Sequence, residues 1–295
     1  MHLLTFAEGG RTRIGVLDRP RGEVVDLQQV DPELPQTMLG LIASGAPALQ
    51  AVTTAVSSGQ GRVPLEALTL LAPIPRPPRN IFCVGKNFRD HAREVRSLIA
   101  SGTGADVEPP SPIIFTKATS AVIGPGAAIP ASLDPTQSVD YEGELAVVIG
   151  CGGRGIAGDQ ALSHVFGYTL INDVTSRRLQ QRHQQWFLGK SLDGFCPMGP
   201  CLVTRDELPD VRQLRIQTRV NGELRQDGCI ADLIFDIPTL IETLSRTMTL
   251  ECGDIIATGT PAGVGMAMTP PRFLQRGDRV TITFEPIGRL ENPVD

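Results

Sequence analysis

The chain has 295 residues, of which 41% are hydrophobic and 20% are charged, and its formal net charge is -5. This size accommodates one large domain, or a small domain followed by a larger one. A negatively charged chain with only 4% aromatic residues lacks the basic surface and the stacking platforms of a nucleic-acid-binding protein, so that class is excluded. The 31 glycines and 24 prolines favour many short strands and turns over long helices.

The cysteines and the N-terminal residues predict a cytoplasmic protein. The six cysteines show no C-x-x-C spacing, so neither a zinc site nor a disulfide framework is indicated and reduced thiols are expected. The first residues lack a basic segment followed by a long apolar stretch, and no run of 18 apolar residues occurs. We therefore predict neither export nor membrane insertion.

The first part of the chain predicts a small α+β module. Residues 2–29 read as three short strands, with turn signals at residues 9–10 and 20–22. Residues 37–59 have helical spacing that Gly45 and Pro47 interrupt. A cluster of prolines between residues 73 and 78 marks a boundary. The sequence therefore predicts a small N-terminal domain at residues 1–75 and a larger domain at residues 76–295.

The larger domain is predicted to be mostly β. A strand leads into a short helix within residues 80–95, and strands follow at residues 112–126, 139–150 and 167–173. Residues 101–112, "SGTGADVEPPSP", are polar and rich in Gly and Pro, as in a mobile lid. A basic segment after residue 173 is predicted to be helical, and Asn221-Gly222 predicts a hairpin turn. The predicted fold class is α+β, mostly β.

Two acidic residues interrupt the apolar strand "VDYEGELAVVIG" at residues 139–150. Because alternate side chains of a strand share a face, Glu142 and Glu144 lie on the same side, about 7 Å apart along the chain. Leu145, Val147 and Ile149 form the opposite row. Two neighbouring carboxylates repel, unless the face is hydrated, the acids pair with Arg or Lys, or a cation lies between them. From this strand alone a hydrated edge is the simplest interpretation.

The segment "GCGGRG", residues 150–155, matches the glycine pattern of a dinucleotide-binding loop. A first strand of that fold is buried on both faces and has continuous apolar residues, whereas this strand carries two acids and no series of βαβ units follows. We therefore interpret the segment as a glycine-rich turn.

Asp173 follows the apolar strand "GYTLIN". An acid at a strand end is commonly a turn residue or a helix N-cap. Together with Glu142 and Glu144 it would complete three hard oxygen donors, the type of ligand that suits Mg²⁺, Mn²⁺ or Ca²⁺. The three residues indicate a metal site only if the fold brings them together.

Several other side chains are candidates for a site. His91 and Glu94 share a helical face, so they form either an idle surface pair or a dyad in which Glu94 orients His91 to take a proton from water. Lys117 and Lys190 each fall in a predicted strand region and would face either solvent or a developing anion. Arg177 and Gln180 share a face of the basic helix, which is otherwise typical of a solvated surface helix.

These segments resemble the fumarylacetoacetate hydrolase family. Seven of them occur in the order of that family and span about residues 80–266. They are "NFRDHARE", "PIIFTKATSAVIGPG", "DYEGELAVVIG", "GYTLINDVTSRRLQ", "GKSLDGFCPMGP", "VNGELRQDG" and "DIIATGTPAGVG". The E-x-E pair with the downstream Asp, the Lys and the G-T-P segment is a specific combination.

The resemblance implies a mixed β-sandwich roll, a homodimer, and a divalent metal, usually Mg²⁺ with Mn²⁺ or Ca²⁺ as alternatives, held by Glu142, Glu144 and Asp173. It also implies that His91 and Glu94 activate water on a closing lid, and the lid at residues 95–111 is expected to select the tail of the substrate. The residues that it places near the oxygens of a small anionic 2-oxo-acid substrate are Lys190, Arg177, Gln180 and Thr260.

The family contains hydrolases, isomerases, hydratases and decarboxylases that share a metal-stabilised enolate. The resemblance alone therefore does not identify which of these reactions the protein catalyses. The His91 and Glu94 pair favours hydrolysis of a C–C bond in a 2,4-dioxo acid of the acylpyruvate or fumarylpyruvate type. The alternatives are isomerisation of the 2-hydroxyhepta-2,4-diene-1,7-dioate type or decarboxylation of a 2-oxo acid in aromatic catabolism. A catalytically idle metal- or ligand-binding protein is a further alternative.

Overall fold

The computed structural model describes residues 1–99 and 108–295, so residues 100–107 of the predicted lid lie outside it. Strands outnumber helices, which confirms the predicted α+β class with more β than α. The strands are β1 His2–Glu8, β2 Arg11–Asp18, β3 Glu23–Asp26, β4 Arg62–Pro64, β5 Thr69–Leu71, β6 Ile81–Gly85, β7 Ile113–Lys117, β8 Val122–Ile123, β9 Val139–Asp140, β10 Gly143–Ile149, β11 Val165–Asn172, β12 Thr175–Ser176, β13 Cys196–Thr204, β14 Arg215–Val220, β15 Glu223–Cys229, β16 Ile255–Ala257, β17 Arg279–Phe284 and β18 Gly288–Pro293. The helices are α1 Leu27–Val30, α2 Met38–Ser57, α3 Arg89–Ile99, α4 Arg177–Arg182, α5 Phe187–Lys190 and α6 Ile237–Thr247.

A twelve-stranded sheet forms the centre, in the order β4-β3-β2-β1-β13-β11-β10-β16-β6-β7, with β5 paired to β1 and β8 paired to β13. A four-stranded sheet, β15-β14-β17-β18, packs beside it. The predicted Asn221-Gly222 turn joins β14 to β15, and both residues have positive φ angles of 51° and 82°, as a tight two-residue hairpin requires.

The alternation of β10 divides the core into two layers. Leu145, Val147 and Ile149 pack in the cluster that includes side chains of the four-stranded sheet and α6. Ala146 and Val148 point the other way, into the cluster that includes side chains of α2. Both faces of β10 are therefore buried. Such a strand can carry a carboxylate only where the carboxylate has partners.

Helix α2 is interrupted where the sequence indicated. Gly45 has φ 61° and ψ -147°, and Pro47 follows within the same helix. By length and hydropathy α2 could cross a membrane, but a core helix of a soluble protein meets the same criteria. Leu41 and Ile42 are buried in the apolar layer on one side of the central sheet, so one face of this helix packs against the core.

The N-terminal strands share the central sheet with the rest of the chain. β1 pairs antiparallel with β13, with Leu3 opposite Leu202. The division into domains at residues 1–75 and 76–295 stays a prediction. The "GCGGRG" segment forms bends after β10, with Gly153 in an isolated β-bridge to Leu250, and among the described residues no α-helix begins there. Its interpretation as a glycine-rich turn is therefore supported by the structure.

Candidate active site

The three predicted metal ligands converge where β10 and β11 meet. The two strands are antiparallel, with Gly143 opposite Asn172. Glu142 and Glu144 flank Gly143, and Asp173 follows the end of β11, where its N–H donates to the carbonyl of Glu142 at 2.8 Å. One carboxylate oxygen of each acid lies within 4.8 Å of those of the other two. The antiparallel register thus brings together residues that are 29 to 31 positions apart in the sequence.

These carboxylates are buried, which overturns the hydrated-edge interpretation of the strand. Glu142 is 5%, Glu144 2% and Asp173 0% exposed. Cationic side chains contact Glu142 and Asp173, which is the second of the three explanations weighed above, whereas Glu144 accepts a hydrogen bond from a backbone N–H. Lys190 Nζ donates to Glu142 Oε2 and to Asp173 Oδ2, both at 2.7 Å. Arg177 lies 2.6 Å from Glu142 Oε1.

Lys117 is a second buried lysine in the cluster. It ends β7, is 0% exposed, and donates to Asp173 Oδ1 at 2.7 Å and to the carbonyl of Val174 at 3.0 Å. Its ammonium group also donates to the carbonyl of Lys190. Lys117 thus lies in a strand, as predicted, whereas Lys190 ends the short helix α5 and not a strand. A glycine and a polar side chain surround Lys190 in sequence, so its region carries no clear helical periodicity.

The electrostatics differ between the acids of the strand. Burial raises the pKa of Glu142, but the charges of Lys190 and Arg177 outweigh it and hold that pKa below the ordinary range. Burial and the charges of Asp173 and Glu142 raise the pKa of Glu144 well above its ordinary value. The Gly259 N–H donates to Glu144 Oε2 at 2.8 Å. Glu144 is therefore the carboxylate with the strongest need for additional positive charge.

The donor set fits a divalent metal ion. Three oxygen ligands from carboxylates are typical of Mg²⁺ and Mn²⁺ sites. Burial and the charges of Asp173 and Glu142 raise the pKa of Glu144, so a cation beside these groups would favour its charged form. The cluster can therefore hold a metal. Mg²⁺ in particular stays a prediction.

The structure brings the predicted substrate-binding residues to one cavity. A cavity of about 230 Å³ is lined by His91, Glu142, Glu144, Arg177, Gln180, Lys190 and Thr260. Arg177 Nη1 is 3.4 Å from Gln180 Oε1, as expected for residues on one helical face. The hydroxyl of Thr260 donates to the carbonyl of Gly143 at 3.0 Å and so joins the loop after β16 to the carboxylate strand. The roles of these residues stay predictions.

His91 and Glu94 form the predicted pair on α3. His91 Nδ1 is 3.1 Å from Glu94 Oε2, and His91 is 5% exposed at the wall of the cavity. The N–H of Gly263 donates to Glu94 Oε1 at 2.8 Å. Glu94 is therefore held from both sides, and His91 is buried at the cavity wall rather than idle on the surface.

An aromatic wall was not predicted from the sequence. Trp186 and Phe115 line the cavity, with ring centroids 5.3 Å apart in an edge-to-face arrangement. Lys190 Nζ lies 5.0 Å from the centroid of Phe115. A Cβ on Gly85 would lie 2.4 Å from the Trp186 ring, so glycine is needed there. Lys86 and His183 also line the cavity, and no sequence pattern marked either of them.

Comparisons with known proteins identify the family of the chain. Residues 80–295 match the family described as "Fumarylacetoacetate (FAA) hydrolase C-terminal". The chain belongs to the fumarylacetoacetate hydrolase family. This family contains hydrolases, isomerases and tautomerases.

Known members of the family resemble the chain over nearly its full length. Oxaloacetate tautomerase YisK of Bacillus subtilis is 48% identical over 286 residues, which cover 92% of this chain and 93% of the relative. A fumarylacetoacetate hydrolase structure from Exiguobacterium antarcticum is 43% identical, with a TM-score of 0.81 and coverage of 100% and 99%. Maleylpyruvate hydrolase from Sphingobium sp. SYK-6, solved with manganese(II) and pyruvate, is 33% identical, with a TM-score of 0.79 and coverage of 100% and 98%.

Proposed function

We propose that the protein catalyses the metal-dependent interconversion of the keto and enol forms of a small 2-oxo acid, with oxaloacetate as its substrate. The observation that carries the proposal is a buried carboxylate triad that opens on a small cavity lined by Lys190, Arg177 and His91. The 48% identity to oxaloacetate tautomerase YisK supports the substrate. The cavity is smaller than the roughly 300–1,000 Å³ that is typical of pockets for drug-sized ligands, as suits a four-carbon acid.

The residues of the chain fit the requirements of this reaction. Glu142, Glu144 and Asp173 would hold the divalent ion, Mg²⁺ in our proposal, which when bound supplies positive charge to the oxygens of a 2-oxo carboxylate and favours its enolate. Lys190 adds a buried positive charge beside Glu142 and Asp173, where it would also stabilise the negative charge of the enolate. Arg177 would bind a carboxylate group of the substrate in the cavity.

The His91 and Glu94 pair is suited to moving the proton. Because Nδ1 faces Glu94, Nε2 is the ring nitrogen that can take a proton from C3 of the substrate and return it. Glu94 holds the ring in the orientation that this transfer needs. Because His91 is only slightly exposed, water has little access to the ring nitrogen that would carry the proton.

The same pair favours a second candidate, hydrolysis of a C–C bond in a 2,4-dioxo acid of the acylpyruvate or fumarylpyruvate type. In this reaction His91 would take a proton from water that attacks the C4 carbonyl, and the enolate of pyruvate would leave. The likeness to maleylpyruvate hydrolase supports this candidate. The predicted homodimer and cytoplasmic location stay predictions.

Turnover measurements on the purified protein test these candidates. The protein is supplied with three compounds in turn, which are the enol form of oxaloacetate, acetylpyruvate and fumarylpyruvate. Each is tested with Mg²⁺ and after treatment with EDTA, and the products are identified. Rapid loss of the enol absorbance with oxaloacetate conserved, abolished by EDTA, is the expected result. Pyruvate and a carboxylic acid from the dioxo acids would instead establish the hydrolase, whereas CO₂ from oxaloacetate would establish a decarboxylase. No conversion of any substrate would favour the idle binding protein.

Replacing His91 by Gln tests the role of the pair. Glutamine keeps a polar side chain of similar reach but cannot carry the proton, so we expect turnover to fall by about 10²–10⁴-fold. The affinity for Mg²⁺, measured by calorimetry, should stay within about twofold, because His91 is not one of the three carboxylate ligands. Unchanged turnover would show that another group moves the proton.

A further inference from the structure

Asp140 is a buried acid with no role in the site described so far. It ends β9, two residues before Glu142, and is 0% exposed. Its Oδ2 accepts hydrogen bonds from Arg177 Nε at 2.8 Å and from the N–H of Met266 at 3.0 Å. Its Oδ1 accepts from the N–H groups of Gly265 at 2.8 Å and Tyr141 at 2.9 Å. Four donors thus converge on one carboxylate.

These contacts fix the direction of the Arg177 guanidinium group. Nε faces Asp140 and Nη1 faces Glu142, so the third nitrogen, Nη2, has its direction set by the other two. Nη2 is buried and has no hydrogen-bond partner among the described residues, although Arg177 lines the cavity. A buried donor without an acceptor is costly, and an anionic oxygen of a ligand in the cavity would satisfy it.

The segment that Asp140 holds, residues 263–266, also supports the His91 and Glu94 pair. The N–H of Gly263 donates to Glu94 Oε1 at 2.8 Å, and the carbonyl of Gly263 accepts from the hydroxyl of Tyr141 at 2.9 Å. A Cβ on Gly265 would lie 2.7 Å from Asp140 Oδ1, so the backbone packs tightly against the carboxylate. The 263–266 segment therefore connects the substrate-binding side of the cavity to the proton-transferring side.

We infer that Asp140 is a positioning residue, which directs Arg177 Nη2 at a substrate carboxylate and anchors the 263–266 segment behind Glu94. The inference rests on the proposed function, because that function supplies the anionic ligand. Asp140 itself is covered by its donors and has no contact with the cavity. Its effect must therefore pass through Arg177 and through the backbone of the segment.

A double-mutant cycle separates this role from a general structural one. Oxalate is the probe, because its two adjacent carboxylates resemble the oxygens of a 2-oxo-acid enolate, and its affinity for the Mg²⁺-loaded protein is measured by calorimetry. We expect Asp140→Asn to weaken oxalate binding by about 10–100-fold, as loss of a supporting hydrogen-bond partner commonly does. In a protein that already carries Arg177→Gln, Asp140→Asn should weaken oxalate binding by less than about threefold, because Asp140 acts through Arg177.

If Asp140→Asn and Arg177→Gln weakened oxalate binding additively, the inference would be overturned. It would also be overturned by a wild-type protein that binds Mg²⁺ but not oxalate. Oxalate binding needs no turnover, so a protein that binds oxalate through Arg177 but does not convert oxaloacetate would refute only the proposed reaction. Asp26→Asn is the matched control. Asp26 is equally buried and accepts from Arg13 and from two backbone N–H groups, but it lies at the start of α1, outside the cavity. We expect this variant to keep oxalate affinity.

A milder variant tests the anchor if Asp140→Asn does not fold. Tyr141→Phe removes only the hydroxyl that holds Gly263. We expect hydrogen exchange of the amides at residues 263–266 to accelerate by about tenfold, with oxalate affinity unchanged within about twofold, because Arg177 keeps its contact with Asp140. Unchanged exchange would show that Tyr141 does not hold the segment and would refute this part of the inference.

Discussion

Replacement of Glu144 by Gln is expected to lower turnover by at least about 10³-fold. Glutamine has the same shape but offers a neutral ligand, so the site would lose most of its affinity for a divalent ion. A bound ion supplies several kcal/mol of charge stabilisation, and each 1.36 kcal/mol corresponds to a factor of ten in rate. Mg²⁺ affinity measured by calorimetry and turnover of oxaloacetate should fall together. The control is Glu242→Gln on α6, which should change neither.

The same substitution is expected to stabilise the metal-free protein. The pKa of Glu144 is raised above its ordinary value of 4.5, so the folded state binds this proton more tightly than the unfolded state. Stability is therefore lost as the pH rises from about 4.5 towards the raised pKa, and Gln has no proton to lose. Urea denaturation with EDTA should show this pH dependence in the wild type and less of it in Glu144→Gln. Full turnover in the variant would refute the metal site.

Replacement of Lys117 by Met is expected to destabilise the folded protein strongly. Replacing it by Met leaves Asp173 Oδ1 and the carbonyls of Val174 and Lys190 without their donor inside the protein. Removing one partner of a buried ion pair destabilises proteins by about 3–5 kcal/mol. Asp173 would keep only its contact with Lys190, through Oδ2, and its Oδ1 would be neither hydrated nor paired. We expect a loss of this size in the free energy of unfolding, measured by urea denaturation of the metal-free protein.

An exposed pair provides the comparison for Lys117. Arg246 and Glu242 are 2.9 Å apart on α6, with side chains 71% and 39% exposed. Arg246→Met should change the free energy of unfolding by no more than about 0.5 kcal/mol, because water and salt screen such pairs. A Lys117→Met variant as stable as Arg246→Met would show that Lys190 alone compensates the charge of Asp173.

The sequence predicted the secondary-structure elements that have a regular hydrophobic pattern or characteristic turn residues. The three N-terminal strands, the break at Gly45, the hairpin at Asn221-Gly222 and the two rows of β10 all follow from local periodicity and turn chemistry. The carboxylate triad was also predicted, but its convergence depended on the resemblance to the family. Only the pairing of β10 with β11 places Asp173 beside the two glutamates.

The burial of the site could not be predicted in the same way. Lys190 lies at the end of a four-residue helix, and so short a helix leaves no periodic pattern. Asp140, Tyr141 and Trp186 act through neighbours that are distant in sequence, such as Gly265, Gly263 and Gly85. Contacts of this type depend on the tertiary structure, and one sequence contains no pattern that pairs these residues.

The pairing of β1 with β13 has a consequence for how the chain could be divided. The family match begins at residue 80, yet β13 pairs with a strand that lies before that boundary. A fragment that started at residue 80 would leave Leu202 and Val203 of β13 without their partner strand β1, although β8 would still pair with Cys196 and Pro197. It would also uncover the apolar layer to which α2 contributes. Exposed sheet edges of this kind recruit other chains. The first 79 residues therefore cover a sheet edge and an apolar layer that such a fragment would expose to other chains.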